Sequence, residues 1–223
     1  MNKVLNSVLL ITGLAGFVFL QTANGETLQV SVSNSEDGEP LAQAVVEVML
    51  PPELRARFQQ PTELAVDQVD KEFVPSVSIV VQGSQVSFPN SDDILHHVYS
   101  FSSAKTFDIP LYGSNENVNY SQTLDQPGVV EIGCNIHDWM LAYIYVSETT
   151  LATISNNQGL ATINNLPPGD YQARVWHARL DGGPVMQNLR ITTGAETEVN
   201  IALEIGRDRR LRRSPASTRS QYR

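Results

Sequence analysis

The chain has 223 residues, room for one large or two small domains, and carries a formal net charge of −9 with a single cysteine. One cysteine excludes an internal disulfide. The charge is unevenly placed: residues 207–223 hold seven Arg and one Asp, a charge of +6, and with Lys3 set aside residues 26–206 carry −16, which makes nucleic acid a poor partner.

Residues 1–25 read as a leader. Lys3 supplies a positive start, "VLLITGLAGFVFL" (8–20) an apolar core, and Ala23 and Gly25 a small-residue cleavage site. Cleavage is expected after Gly25, with export to a periplasm. The apolar run is short for a membrane span, which needs about 20 residues. In an oxidising compartment a free thiol is a liability unless buried, paired or metal-bound, so export bears on Cys134.

After the leader, short strand patterns dominate and long helical ones are scarce, so the expected fold is all-β. "TLQVSVS" (27–33) alternates as a half-buried strand, "NSEDGEP" (34–40) is a turn, and "AQAVVEVML" (42–50) is a second strand. "PPELRARFQQPTE" (51–63) reads as a linker with at most one helical turn. From Ala65 a second set begins: two short strands around Gly83 in "VSIVVQGSQVSFPN" (77–90), then "HHVYSFS" (96–102), "PGVVEIGC" (127–134) and "LAYIYVS" (141–147). A third set follows with "GLATINNLPPGDYQARVWHA" (159–178), "VMQNLRIT" (185–192) and "TEVNIALEI" (197–205). The Arg-rich residues 206–223 show no apolar periodicity and read as a disordered tail.

The chemistry concentrates in "CNIHDWM" (134–140). A thiolate at Cys134 and an imidazole at His137 can reach one ion from a tight loop, and the thioether of Met140 can approach it axially. The set lacks one imidazole. Two histidines plus a cysteine with a weak axial methionine is the blue-copper arrangement. His96 and His97 lie upstream, and because they point to opposite faces of a strand only one can join the site. The residues alone leave the choice open. The bland alternative is a buried structural cysteine with an incidental His and Met.

The segment 65–147 resembles the cupredoxins, such as plastocyanin and amicyanin. The likeness rests on "KEFVPSVSIVVQGSQVSFPNSDD", on a strand ending in Asn and followed by a His, and on the later strand leading into C-x-x-H and Met. It implies a Greek-key β-sandwich and one mononuclear type 1 copper held by His96, Cys134, His137 and Met140. The family pattern "H-N-V" makes His96 the ligand and puts His97 in the Asn position, bracing the loop near Asn135. A competing alignment makes His97 the ligand with Phe101 as a core aromatic. Where the family often has Pro before the second His, this chain has Ile136. The whole chain resembles an exported methylamine-utilisation type of cupredoxin.

The flanking sets, "VSVSNSEDGEPLAQAVVEV" and "NNQGLATINNLPPGDYQARVW", resemble two parts of a carboxypeptidase regulatory-like, or transthyretin-like, β-sandwich. About a hundred residues separate them, so the expected organisation is a cupredoxin domain at 61–148 inserted into a discontinuous sandwich formed by 26–60 plus 149–205. The alternative is two sequential domains with a loosely packed N-terminal hairpin.

The expected function is single-electron transfer with a redox partner such as a cytochrome or dehydrogenase, through the exposed edge of His137. Four protein ligands leave no position for a substrate, and no group reads as a catalytic base or nucleophile, so an enzyme is not expected. A copper carrier or sensor using the same ligands is the runner-up, and a binding module built on the transthyretin-like half is the third reading. Trp139 is either a contact for the partner or packing under the loop, Asp138 a charge beside His137 or a solvated turn residue. His177 reads as structural. The basic tail offers peripheral contact with anionic lipid or with the acidic body.

Overall fold

The computed structural model describes residues 25–115 and 120–207, so the leader up to residue 24 and the tail from residue 208 lie outside the described residues. Seventeen strands and one short helix are found among them. They are β1 (Glu26–Asn34), β2 (Val45–Met49), α1 (Pro52–Arg55), β3 (Glu63–Ala65), β4 (Asp67–Val69), β5 (Glu72–Val74), β6 (Val77–Val81) and β7 (Ser84–Ser87). Then come β8 (His96–Ser102), β9 (Lys105–Tyr112), β10 (Ser121–Leu124), β11 (Gly128–Cys134), β12 (His137–Ser147) and β13 (Ala152–Ile154). The chain continues with β14 (Leu160–Leu166), β15 (Gly169–Trp176), β16 (Val185–Ile191) and β17 (Thr197–Leu203). The fold is all-β and strand-rich, consistent with Greek-key sandwich architecture.

The strands pair into two layered groups, each around its own apolar core. In one, the sheet β14-β1-β17 faces the sheet β13-β2-β15-β16. Val30 and Val32 from β1 meet Val46 and Val48 from β2 and Ala173 and Val175 from β15. β1 pairs antiparallel with β14 and parallel with β17, while β2 pairs with β13 and β15. The first two strands of the chain therefore sit inside sheets whose other members all come after residue 149. In the other group, the sheet β10-β7-β3 covers the five-stranded sheet β6-β12-β11-β8-β9. Val86 and Leu124 pack there on Val98, Ile109, Ile132 and Ile144. Strands β3, β4, β9, β10 and β13 are not among the elements expected from the sequence. In β9 the alternation of Thr106, Phe107, Asp108 and Ile109 is regular but short, and it breaks at Pro110 and Leu111.

β12 explains its own sequence. Met140, Ala142, Ile144 and Val146 face the core it shares with β11, whereas Leu141, Tyr143 and Tyr145 face a third cluster with Val45, Val77 and Trp176. A strand covered on both faces reads as a nearly unbroken apolar run, and "LAYIYV" is one. That third cluster joins the two groups. Trp176 packs edge-on against Tyr143 with ring centroids 5.4 Å apart.

Beside this apolar seam lies a buried carboxylate. Glu47, 1% exposed, takes hydrogen bonds from Tyr145 Oη at 2.7 Å, Ser147 Oγ at 2.7 Å and Glu148 N at 2.9 Å. Arg174 Nη1 stands 3.4 Å from its Oε2. Val46 and Val48 point to one core, so the period of two in β2 sends Glu47 toward the other group.

Candidate metal centre

The site begins with a hairpin. Cys134 ends β11 and His137 begins β12, and the two are paired across a two-residue loop, Asn135 and Ile136. Residues paired across an antiparallel ladder carry their Cβ atoms about 4.5–5.5 Å apart on one face, which is why C-x-x-H brings sulfur and imidazole together. A register shift between Gly133 and Cys134 turns the cysteine out of the regular ladder.

β8 supplies the third group. Its alternation buries His96, Val98 and Ser100 and turns His97, Tyr99 and Phe101 outward. His96 is 0% exposed, with Nδ1 3.9 Å from Cys134 Sγ, while Nδ1 of His137 lies 3.6 Å from the same sulfur. The ligand atoms of His96, Cys134 and His137 all lie within 4.8 Å of one another. The imidazole rings of His96 and His137 are 4.9 Å apart, tilted by 58°. Met140 is buried in the same apolar cluster as Cys134, on the inward face of β12.

His97 goes elsewhere. Its Nε2 pairs with Asp108 Oδ1 at 2.7 Å on the outer face of the sheet. It does not brace Asn135 with its side chain; instead its backbone N–H, with that of Ile136, donates to the Cys134 sulfur. Phe101, the core aromatic of the competing alignment, is 79% exposed. His177 is buried and its Nδ1 accepts from Arg179 N at 3.2 Å, which is a structural role. Trp139 is half-buried against His137, ring centroids 5.3 Å apart, and Asp138 is exposed.

The surroundings of Cys134 act on its thiol in opposing directions. Burial pushes the Cys134 thiol up, but the hydrogen bond with His96, the two backbone N–H groups and the charge of His96 together hold it below its ordinary range. For His96, burial acts downward and is outweighed by Cys134 and Asp92, which raise it. His137 is lowered, first by burial and then by the charges of His96 and Lys71.

Asp92, in the polar stretch "NSDD" between β7 and β8, is not among the residues that the sequence singles out. Its Oδ2 accepts from His96 Nε2 at 2.6 Å. A proton on Nε2 leaves the Nδ1 lone pair aimed toward Cys134, the tautomer a metal ligand needs. The loop that carries Asp92 is shaped by Asn90, whose Nδ2 donates to Ile94 O and Tyr112 O, both at 2.9 Å, and whose Oδ1 accepts from Asp92 N at 3.0 Å. The available signal was a carboxylate four residues before a candidate ligand.

The donor set can be tested against an ion's demands. With thiolate and imidazole bonds of about 2.3 and 2.1 Å spread at about 120°, neighbouring donors stand about 3.8 Å apart. The two measured separations, 3.9 and 3.6 Å, bracket that value. One soft sulfur and two imidazoles suit copper or zinc, and carboxylate-preferring ions poorly.

Among known proteins, no family model and no curated protein matches this chain. Solved structures do align. A Cu-containing nitrite reductase from Thermus scotoductus SA-01 aligns at 26% identity over 45% of this chain and 27% of that one, with a TM-score of 0.36. A purple cupredoxin from Nitrosopumilus maritimus aligns at 18% identity over 39% of this chain and 99% of that one, TM-score 0.33. The reduced Cu(I) form of an amicyanin variant aligns at 17% identity over 45% of this chain and 97% of that one, TM-score 0.34.

Proposed function

We propose that His96, Cys134, His137 and Met140 hold one type 1 copper ion and that the protein passes single electrons to or from a redox partner. The observation that carries this reading is the convergence of one buried cysteine and two histidines, their ligand atoms within 4.8 Å of one another. The bound ion would supply a one-electron couple shared between soft sulfur and harder nitrogen ligands. Cys134 and His96 hold their donors away from the surface, and His137, the less buried imidazole, offers an edge toward solvent. Four protein donors leave no place for a substrate, so the protein acts without a reaction site of its own. The same reading takes residues 61–148 as a cupredoxin domain inserted into a transthyretin-like sandwich, because β1 and β2 lie within sheets completed after residue 149.

The partner would be a cytochrome- or dehydrogenase-like protein with a positive face, since residues 26–206 carry −16. The working compartment would be a periplasm, reached through the leader at residues 1–25. N-terminal sequencing of exported protein should then begin at Glu26, and a mature chain that still starts at Met1 would remove the export argument.

Addition of Cu(II) to the purified protein should produce an intense thiolate-to-copper charge-transfer band that is lost in Cys134→Ser. A wild-type protein that binds Cu(II) and stays colourless would refute the type 1 reading.

A further inference from the structure

Two short strands outside the main sheets touch both halves of the ligand set. β4 and β5 form a hairpin, with Asp67 opposite Val74 and Val69 opposite Glu72. Its two turn residues, Asp70 and Lys71, have φ of +52° and +61°. That is the conformation of a two-residue type I′ turn, uncommon for Lys, so something outside the turn must hold it. That something is Asp92. Its Oδ1 accepts from Asp70 N at 2.6 Å and its Oδ2 from Lys71 N at 2.9 Å, while the same Oδ2 accepts from His96 Nε2.

β4 is also tied to the loop before His96. Asp67 accepts from Ser91 Oγ at 2.7 Å, and Gln68, fully buried, donates from Nε2 to Pro89 O at 2.9 Å. On the other side, Lys71 O accepts from Trp139 Nε1 at 3.2 Å, and the Trp139 ring packs on His137. One turn of two residues therefore reaches the upstream histidine through a carboxylate and the downstream histidine through an indole.

We infer that the Asp67–Val74 hairpin is a clasp that locks the two ligand-bearing loops against each other, with Asp92 and Trp139 as its positioning residues. The inference rests on the copper reading above and deepens it. The two histidines come from segments about forty residues apart, and among the described residues no strand pairing joins the His96 loop directly to Trp139. The clasp supplies that link in the absence of metal as well as in its presence. A site held this way keeps its shape when the ion's charge changes and releases the ion slowly, as electron transfer needs and a carrier does not.

Three variants test it on the full chain loaded with Cu(II). Asp92→Ala removes the contact to His96 and both turn N–H bonds. Trp139→Phe removes only the indole donor. Asp93→Ala removes the neighbouring exposed carboxylate and serves as the charge control. Transfer of copper to excess EDTA should be faster by roughly 10- to 100-fold in Asp92→Ala, faster by a smaller factor in Trp139→Phe, and unchanged in Asp93→Ala. Because both act through one hairpin, the double variant should fall short of the product of the two single effects. Amide exchange on the metal-free protein is the second measurement: the Asp70 and Lys71 N–H groups should be protected in wild type and lose protection in Asp92→Ala.

Wild-type exchange at Asp70 and Lys71 as fast as in an open loop would overturn the clasp, as would Asp92→Ala and Asp93→Ala releasing copper at the same rate. If Asp92→Ala does not fold, Trp139→Phe decides: release at the wild-type rate counts against the clasp. A wild-type protein that never forms the coloured complex would instead defeat the copper reading, and the metal-free exchange pattern would still report on the hairpin.

Discussion

His96→Ala is expected to abolish the coloured copper complex, and His97→Ala to leave it nearly intact. Adjacent in sequence, the two histidines are separated by the strand's alternation: His96 is fully buried against Cys134, whereas His97 is paired with Asp108 on the outer face. Losing a residue that only orients a ligand costs roughly 10- to 100-fold in metal affinity, so losing the ligand itself should cost more than about 100-fold. His96→Ala also leaves the Asp92 carboxylate without its imidazole partner beside the emptied position. His97→Ala forfeits the partly exposed contact with Asp108 and the ring contact with Tyr99, both on the outer face, and keeps the backbone N–H that reaches the Cys134 sulfur. Copper titration followed by absorbance separates the two. Bleaching by His97→Ala with colour retained in His96→Ala would reverse the ligand assignment.

The largest effect on stability is expected at Glu47. In Glu47→Ala, the Tyr145 and Ser147 hydroxyls and the Glu148 N–H lose a buried charged acceptor, and Arg174 loses its carboxylate. Hydrogen bonds to a charged group contribute about 1.5–3 kcal/mol each, and breaking a buried ionic network costs about 3–5 kcal/mol. A loss of about 3–5 kcal/mol should lower Tm by roughly 6–20 °C. Tyr145→Phe, which removes a single donor, should cost less. The chain has two tryptophans. In a Trp139→Phe background Trp176 is therefore the single tryptophan and can be excited selectively over the tyrosines, and it packs in the seam against Tyr143 and Tyr145. Its emission should shift at lower denaturant in Glu47→Ala than in the parent. A change below about 1 kcal/mol would mean that the polar network does not hold the seam.

Much of the candidate metal centre was readable from residues alone because hairpins are local. Cys134 and His137 are joined by two residues, so sequence spacing and spatial distance carry the same information. The alternation of "HHVYSFS" likewise announced that only one of the two histidines could turn inward. What it could not announce was which face is inward, since a period of two has two phases. Packing decided that: Val98 joins the core and Phe101 does not.

Other features had no local signature. Asp92 looked like one of several polar turn residues until the β4–β5 turn arrived to donate two N–H groups to it. Glu47 is a polar residue within an apolar strand, and its burial depends on Tyr145 and Ser147, about a hundred positions away. By itself the sequence determined the strand-rich class, the candidate ligands and the acidic charge of the body, all properties of short segments or of composition. Only the tertiary structure decided which histidine meets the cysteine, what orients it and what joins the two cores. Those outcomes depend on groups far apart in the chain, and only the packing of whole sheets brings such groups within hydrogen-bond reach.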